Sequence, residues 1–476
     1  MNLDQAFLPP HIGWILIGSL SVIWDFSGCH LGEKNKNFSD HALAGRNIGL
    51  ALASATAVAT WVTSNTTMLA PQFALQMGVW GMLAYSTAAF GLILFAPMAK
   101  RIKNLMPNGY TSGDFFRLRY GKSAWGIFLL FTLFYSMTWL ISMAMAGGIL
   151  LNALAQIPYV YGMSIILLVC VIYTMRGGLF AVIGTDFIQS IIILIGIVVV
   201  GIAVLQRVNI SEIHTYVSRY QPKLVDVFFP AAIMAIFNNL LFGLGEVFHN
   251  NVWWSRVFAF RKGFESKAFY ISGLIWFPIP IAAGFIAMGS GVLSIGIPSP
   301  DMVGPLVIAT VLGKIGAIAV FVVVFCSIAS SIDSLLAATA DLVTEDIYRK
   351  IFSPKATQAK LKKTAQIVTL VLGSVTWLIC VPKIGSLATV LFFAGPLVGS
   401  MIWPIITGLY WKRANQKGAI SAMVLGSITG LICYFQIGWY VATLIATFVS
   451  MVCVLLFTYL SKSAFDWNIL QEEEIS

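Results

Sequence analysis

Long apolar runs decide what this chain can fold into. Runs of about 17 to 25 mostly apolar residues are long enough to cross a bilayer as helices. Thirteen such spans are predicted, at residues 10–27, 47–70, 75–97, 123–151, 157–175, 179–205, 229–252, 268–290, 315–340, 364–382, 386–410, 418–436 and 438–460. Charged residues make up only 10% of the chain, against about a quarter in soluble domains. The sequence therefore predicts an all-α polytopic membrane protein.

The basic residues are distributed unevenly between the predicted loops. With thirteen spans and the N-terminus outside, the cytoplasmic side receives all 29 Lys and Arg residues except Arg207, Arg219, Lys223, Lys314 and Lys383. Cytoplasmic loops favour basic residues, so membrane orientation explains the net charge of +10 without nucleic acid binding. We expect a multi-pass plasma membrane protein with its N-terminus outside and its C-terminus in the cytoplasm.

Two predicted spans are interrupted by polar residues. The second contains ATWVTSNTT (59–67), and the seventh contains GLGEVFHNN (243–251). Broken helices at corresponding places in two halves indicate a transporter built from inverted repeats. The interrupted spans are five apart, and an odd repeat length inverts the second copy. We expect one transmembrane domain over 1–476, with repeats at 47–205 and 229–410 and with peripheral helices and tails at 1–46 and 411–476.

A hydroxyl-rich segment, SIASSIDS (327–334), lies within the ninth span. On a helix its four serines share one face, and their oxygens could replace the water shell of a small hard cation. Helix packing is the alternative, because small residues let membrane helices approach closely. An ionisable residue such as Asp333 is costly in hydrocarbon and indicates a functional site.

Three further strings accompany this segment: GGLFAVIGTDFIQ (177–189), LVTEDIYRK (342–350) and GLYWKRANQKGAI (408–420). Together the four motifs resemble the sodium:solute symporter family, over most of the chain from residue 45 to residue 420. The resemblance implies a five-plus-five inverted-repeat core of the amino acid-polyamine-cation type. It also implies Na⁺-coupled symport of a small polar organic solute into the cell by alternating access. The sequence has no P-loop, metalloprotease motif or nucleophile elbow, so we expect neither an enzyme nor an organic cofactor.

The resemblance further implies a sodium site between the second and ninth spans. Its ligands would be the backbone carbonyls of Ala59, Val62 and Ser327 and the hydroxyls of Ser330 and Ser331. Five uncharged oxygens suit an ion that must bind and leave in every cycle.

A second cation or proton site is implied at Asp186, Asp333 and Ser334. Some family members use the acid at the position of Asp186 for a second sodium ion. Here Asp333 places a carboxylate where such members often carry a hydroxyl. A cap or salt bridge near the inner surface is the alternative role for Asp186.

Residues 245–256 (GEVFHNNVWWSR) are similar without gaps to the family branch that contains urea and polyamine transporters. That branch typically has an Asp-Gln pair where Asn250 and Asn251 stand, which leaves the solute open. The residues expected around the solute are Trp61, Ser64, Asn65, Tyr135, Trp139, Glu246, His249 and Asn250. Packing is the alternative role for Tyr135 and Trp139, and a buried hydrogen bond is the alternative for His249.

Two adjacent aromatic residues, Phe392 and Phe393, are expected to form an outer gate, with core packing as the alternative. Proton coupling through Asp333, Asp186 or Glu246 is the alternative to sodium coupling. A non-accumulating facilitator or a substrate sensor is the alternative to a symporter.

Overall fold

The structure is a computed structural model that describes residues 7–32 and 37–471. In this part of the chain the regular structure is helical, apart from one isolated backbone pairing between Ile48 and Phe260. The predicted peripheral stretches 1–46 and 411–476 lie partly outside the described residues. The α-helices are α1 (Pro10–Gly32), α2 (Phe38–Leu43), α3 (Leu50–Trp61), α4 (Ser64–Met77), α5 (Val79–Ser86), α6 (Ala89–Leu105), α7 (Ser112–Tyr120), α8 (Lys122–Ala155), α9 (Tyr159–Leu205), α10 (Ile210–Tyr220), α11 (Pro230–His249), α12 (Asn251–Ala259), α13 (Glu265–Trp276), α14 (Pro278–Met288), α15 (Val303–Leu342), α16 (Gln358–Cys380), α17 (Leu387–Phe393), α18 (Gly395–Tyr410), α19 (Gln416–Gln436) and α20 (Trp439–Leu460).

Within the described residues, ten helical stretches are long and apolar enough to cross a membrane, judged by length and composition. The predicted first span is α1, which is not among the ten, and the predicted second span is divided between α3 and α4. The predicted fifth and sixth spans are joined in α9, a helix of 47 residues. At 1.5 Å per residue such a helix is about 70 Å long, more than twice the hydrocarbon thickness. The count of thirteen crossings therefore stays a prediction.

A kink divides α9 at Gly178, whose φ is +55°. A methyl group at this glycine would lie 2.5 Å from Nδ1 of His41, which shows how closely α2 fits against the kink. Positive φ and this close approach both favour glycine, because neither tolerates a β-carbon. The GG pair at 177–178 therefore marks the bend between the two arms of α9.

The interruption in the second predicted span is a break between α3 and α4. After Trp61 the backbone leaves the helix at Val62 (φ −82°, ψ 77°). The side chain of Thr63 then accepts a hydrogen bond from the backbone N–H of Thr66, and the side chain of Thr66 accepts one from the backbone N–H of Thr63, which makes a capping box. Such reciprocal bonds satisfy donors that a new helix start leaves without partners. The threonine-rich sequence thus encodes both the end of one helix and the start of the next.

The seventh predicted span is likewise divided, at Asn250. This residue has extended backbone angles, and its side-chain oxygen accepts a hydrogen bond of 2.9 Å from the N–H of Val252. Asparagine is among the preferred N-cap residues for this reason. The second half, α12, is fully buried from Asn251 to Ala259.

The hydroxyl-rich segment lies in α15, which packs against α3, α4, α8 and α9. This helix begins at Val303, earlier than the predicted start at 315, because its first turns are also apolar. It kinks at Gly313. Beyond Leu342 it continues as a π-helix, Val343–Phe352. Every residue from Val323 to Leu342 is buried, so polar groups in this stretch depend on partners inside the protein.

The π-helix is tied to α7 by a buried ion pair between Lys350 and Asp114, and Lys350 also contacts Asp346 at 3.1 Å. Burial disfavours a charge on Asp114. The Lys350 ammonium and the hydrogen bonds from the backbone N–H groups of Thr111 and Tyr110 nevertheless hold the pKa of Asp114 below its ordinary value.

Candidate cation site and solute cavity

Hydroxyl groups of α15 meet the carbonyl end of α3. The Ser330 hydroxyl donates to the Ala59 carbonyl at 3.0 Å, and the Ser331 hydroxyl donates to the Thr60 carbonyl at 3.3 Å. Both hydroxyls also lie within hydrogen-bond distance of the Ser327 carbonyl, at 3.3 and 2.8 Å. The structure thus brings together four of the five oxygens predicted for the sodium site, those of Ala59, Ser327, Ser330 and Ser331.

The fifth predicted oxygen, the carbonyl of Val62, belongs to the residue at which α3 ends. Carbonyls in the last turn of a helix have no partner within the helix, and together they carry about half a negative charge. The carbonyls of Ala59, Thr60 and Trp61 in this turn all accept side-chain donors instead. A helix end of this kind, with hydroxyls facing it, attracts a cation without offering it a carboxylate.

Asp186 and Ser334 lie on either side of a buried arginine. The Nη2 atom of Arg256 is 3.2 Å from the Asp186 carboxylate, 2.7 Å from the Ser334 hydroxyl and 2.6 Å from the Thr60 hydroxyl. The Thr56 hydroxyl also lies 2.6 Å from the same carboxylate oxygen of Asp186. Arg256 comes from α12, so this cluster joins α3, α9, α12 and α15.

Arg256, predicted among the basic residues on the cytoplasmic side, has a fully buried side chain on helix α12. Asp333 has a different partner: its carboxylate accepts a 2.6 Å hydrogen bond from the Tyr173 hydroxyl. Asp186, Asp333 and Ser334 are all buried in this region. Their partners Arg256, Tyr173, Thr56 and Thr60 are 70 or more residues away along the chain from the groups they contact, so no local sequence pattern could have identified them.

A cavity of about 30 Å³ lies between the helix break and the aromatic residues of α8, α11 and α17. It is lined by Trp61, Thr63, Asn65, Tyr85, Ala88, Tyr135, Trp139, Asn239, Phe242, Trp276, Leu391 and Phe392. A cavity of this volume has room for about two water molecules and is much smaller than an open small-molecule site, about 300 to 1,000 Å³. The lining contains two buried N–H donors without a partner in the described structure, Nε1 of Trp61 and Nδ2 of Asn65.

The predicted solute residues divide into two groups. Trp61, Asn65, Tyr135 and Trp139 line the cavity, whereas the hydroxyl of Ser64 contacts the sulfur of Met143. Glu246, His249 and Asn250 are buried but are not part of the wall described above.

The second group is held by specific hydrogen bonds. Both carboxylate oxygens of Glu246 accept from Nε1 of Trp253, at 3.1 and 3.0 Å. The His249 ring contacts the Gly245 carbonyl through Nδ1 at 2.6 Å and lies edge-on to Tyr135, with ring centroids 5.0 Å apart. Nε2 of His249 and Nδ2 of Asn250 are buried without a partner in the described structure.

The two residues predicted for the outer gate have different surroundings. Phe392 is buried, lines the cavity and packs against the rings of Phe73, Phe242 and Trp439 at 5.7, 4.8 and 4.9 Å. Phe393 instead packs with Phe134, Tyr434 and Phe435, at 5.9, 5.6 and 6.1 Å. Only Phe392 of the pair lies between this cavity and an aromatic cluster.

Several cavity residues were not predicted, among them Asn239, Tyr85, Phe242 and Trp276. Asn239 was the most accessible to prediction, because an amide within an apolar span is an unusual polar residue. Trp276 holds the break itself, since its Nε1 donates to the Trp61 carbonyl at 2.6 Å.

Solved structures share this arrangement of helices. A Na⁺-coupled sialic acid symporter, solved in a substrate-bound outward-open state, matches 95% of this chain and 98% of its own with a TM-score of 0.78 and 18% identity. The apolar helices and this shared fold define a polytopic helical membrane protein.

The chain belongs to the sodium:solute symporter family, whose profile matches residues 41–426. The urea-proton symporter DUR3 of Oryza sativa subsp. japonica is 26% identical over 433 residues, which cover 83% of this chain and 60% of the rice protein. The osmoregulated proline transporter OpuE of Bacillus subtilis is 27% identical over 446 residues, 88% of each chain. The present chain thus spans about 60% of the rice protein's length and most of the length of the proline transporter. These relatives and the structural neighbour are all transporters, as the resemblance to the family predicts.

Proposed function

We propose that the protein is a secondary active symporter that couples inward Na⁺ movement to uptake of a small polar organic solute by alternating access. The observation that carries this proposal is the meeting of the Ser330 and Ser331 hydroxyls with the carbonyl end of α3. Ala59, Val62, Ser327, Ser330 and Ser331 would hold the ion. Inward movement of one charge releases about 2.3 kcal/mol per 100 mV.

The ion site and the solute cavity share the helix break. Ala59 and Val62 carry carbonyls of the proposed ion site, and Trp61 and Asn65, in the same short segment, line the cavity. An ion that fixes the end of α3 would therefore also fix the wall of the cavity. We propose this shared segment as the basis of coupling, because each ligand would then bind more tightly to the arrangement that the other stabilises.

The cavity favours a compact solute with oxygen acceptors. Its free donors, Nε1 of Trp61 and Nδ2 of Asn65, suit a carbonyl or carboxylate oxygen. The aromatic walls supplied by Tyr135, Trp139 and Trp276 leave room for only a few heavy atoms. Urea and proline, the solutes named for two relatives, both have such an oxygen and are small.

Proton coupling is the second candidate, and the buried pair of Asp333 and Tyr173 favours it. The Asp333 carboxylate is fully buried and accepts hydrogen bonds from the Tyr173 phenol and from the backbone N–H of Ser334, neither of which is cationic. A carboxyl group in such surroundings is suited to carrying a proton. One relative is named as a urea-proton symporter.

We also propose the predicted topology, with repeats at 47–205 and 229–410, the N-terminus outside and the C-terminus in the cytoplasm. The helix breaks at Val62 and Asn250 support corresponding positions in two repeats. Labelling of single cysteines placed in the loops after α10 and α18, in intact cells, tests the orientation. A reagent that does not cross the membrane should label the first loop, which is predicted outside, and should not label the second, which is predicted in the cytoplasm. The reverse pattern would overturn the orientation.

Uptake into proteoliposomes tests the coupling. Purified protein would be supplied with radiolabelled urea or proline under an inward Na⁺ gradient, an inward proton gradient, or neither. Accumulation driven by Na⁺ at constant pH supports the first candidate, and accumulation driven by protons in Na⁺-free buffer supports the second. Equilibration without accumulation under either gradient would contradict both and indicate a facilitator.

A further inference from the structure

Arg256 lies inside a cage of oxygens that has the composition of a cation site. Nη2 lies 3.2 Å from the Asp186 carboxylate, and the hydroxyls of Thr56, Thr60 and Ser334 lie 3.0, 2.6 and 2.7 Å from it. One carboxylate and three hydroxyls are hard oxygen ligands that also suit a small inorganic cation. All five of these side chains are fully buried.

The cage belongs to the same helices as the proposed sodium site. Thr60 contacts both places: its carbonyl accepts a hydrogen bond from the Ser331 hydroxyl at 3.3 Å, and its own hydroxyl lies 2.6 Å from Nη2 of Arg256. Ser334 is one helical turn beyond Ser330 on α15. The guanidinium therefore occupies a position one turn away from the inorganic ion that we propose at Ser330 and Ser331.

The charge on Arg256 is fixed, because a guanidinium keeps its proton in proteins. It pairs with Asp186 inside the cage, and a second cation in the same cage would meet its like charge at short range in a region of low dielectric constant. Binding of a free ion there requires that the guanidinium leave, yet Nε and Nη1 are also held, by the Thr56 hydroxyl and the Val252 carbonyl at 3.1 Å each. All three nitrogens of the guanidinium are thus fixed.

We propose that Arg256 is a tethered cation that fills a second ion position, so that the protein binds one free coupling cation and not two. Removal of the guanidinium, with Asp186 left in place, opens that position to Na⁺. The inference rests on the proposed function for the identity of the coupling ion. The proposed function says that a coupling ion binds, whereas the tethered-cation inference says how many ions bind.

Equilibrium binding of radioactive sodium to the purified full-length protein in lipid nanodiscs tests the number directly. Choline chloride holds the ionic strength constant, and no solute is needed. We expect one Na⁺ per wild-type chain and two per Arg256→Ala chain, a twofold increase. The double variant Arg256→Ala/Asp186→Asn removes the carboxylate as well and should return to one.

Each result has a separate meaning. Two ions on the wild-type chain, or equal binding by Arg256→Ala and the double variant, would overturn the tethered-cation inference. A wild-type chain that binds no Na⁺ would instead overturn the proposed sodium site, and the inference would still stand if Arg256→Ala then bound one.

Arg256→Ala leaves a buried carboxylate unpaired and risks misfolding. If it misfolds, the number of ions bound by the wild-type chain and by Arg256→Lys still tests the inference. The lysine variant retains a tethered charge and should bind one ion. A second ion on the lysine variant would contradict the inference.

Discussion

The hydroxyl of Ser330 donates a 3.0 Å hydrogen bond to the carbonyl of Ala59, 271 residues earlier in the chain. That carbonyl lies in the last turn of α3, where the break at Val62 leaves carbonyls without partners in the helix. In the proposed cycle, Na⁺ would bind both oxygens in place of this direct bond. The contact therefore joins α3 to α15 and marks the position that we propose for the ion.

Ser330→Ala should weaken Na⁺ dependence without unfolding the protein. A hydrogen bond or ligand contact to a charged group contributes about 1.5 to 3 kcal/mol, which corresponds to a rise of roughly 10- to 150-fold in the Na⁺ concentration for half-maximal uptake. Ser327→Ala is the matched control, because its hydroxyl bonds the Val323 carbonyl within its own helix and the predicted ligand is its backbone carbonyl. Equal effects of the two substitutions would contradict the assignment.

Asn250→Ser separates the two roles of the Asn250 side chain. Serine is a good N-cap and should retain the bond to the N–H of Val252, but it removes the amide donor Nδ2, which has no partner in the described structure. We expect a free energy of unfolding within about 0.5 kcal/mol of the wild-type value and a higher KM for the solute. Uptake with unchanged KM would remove Asn250 from the solute site and leave it as a cap.

Phe392→Leu should raise the KM for uptake by about two- to twelvefold, because aromatic pairs contribute about 0.5 to 1.5 kcal/mol beyond area burial. Phe392 forms part of the cavity wall and packs on three other rings. Phe393→Leu is the control, since Phe393 packs away from this cavity against α8 and α19. A larger kinetic effect at Phe393 would reverse the assignment of the gate.

Gly178→Ala should lower the free energy of unfolding by about 2 kcal/mol or more, because an L-residue is strained at positive φ and the new methyl group would clash with His41. Gly201→Ala in the same helix is the matched control, because nothing lies within 4 Å of the position that its new methyl group would take. Thermal unfolding of both variants in detergent provides the comparison. Equal melting temperatures would show that α9 tolerates a different bend.

The stability that His41 contributes should fall as the pH is lowered from 6.5 towards 4, because burial and then the nearby Lys362 lower the pKa of His41 from 6.5 to about 4. Between these values the unfolded chain binds a proton that the folded chain does not, so acid favours unfolding by up to roughly 3 kcal/mol. The lowered pKa of Asp114 acts only below its ordinary value of 3.8, outside this window. Buried carboxyl groups titrate in both proteins, so the measurement is the difference in thermal stability between wild type and His41→Gln at a series of pH values. That difference should shift against wild type as the pH falls from 6.5 to 4.

Local sequence predicted the helical class, the family and the places where helices are interrupted. The breaks follow from short-range chemistry: Thr63 and Asn250 each cap the helix that begins after them. The hydroxyl face of α15 follows from helical periodicity, since Ser327, Ser330 and Ser331 are three and four residues apart. The count of crossings does not follow from local sequence in the same way, because the two predicted spans on either side of Gly178 meet at a kink with no loop between them.

The partner of each buried charge could not be predicted from the sequence. In the sequence, Arg256 is one basic residue among several near a predicted loop, and only the folded chain brings it to Asp186, 70 residues earlier. In hydrocarbon a buried charge requires a partner, but local sequence does not show which residue supplies it.

The sequence by itself therefore determined which segments leave water and where their helices end, because apolar length and capping act over a few residues. The tertiary structure decided which polar groups meet across helices, because those contacts depend on how distant segments pack. The proposed sodium position, the cavity and the fixed charge of Arg256 all belong to this second kind, since each is formed by residues from at least two helices.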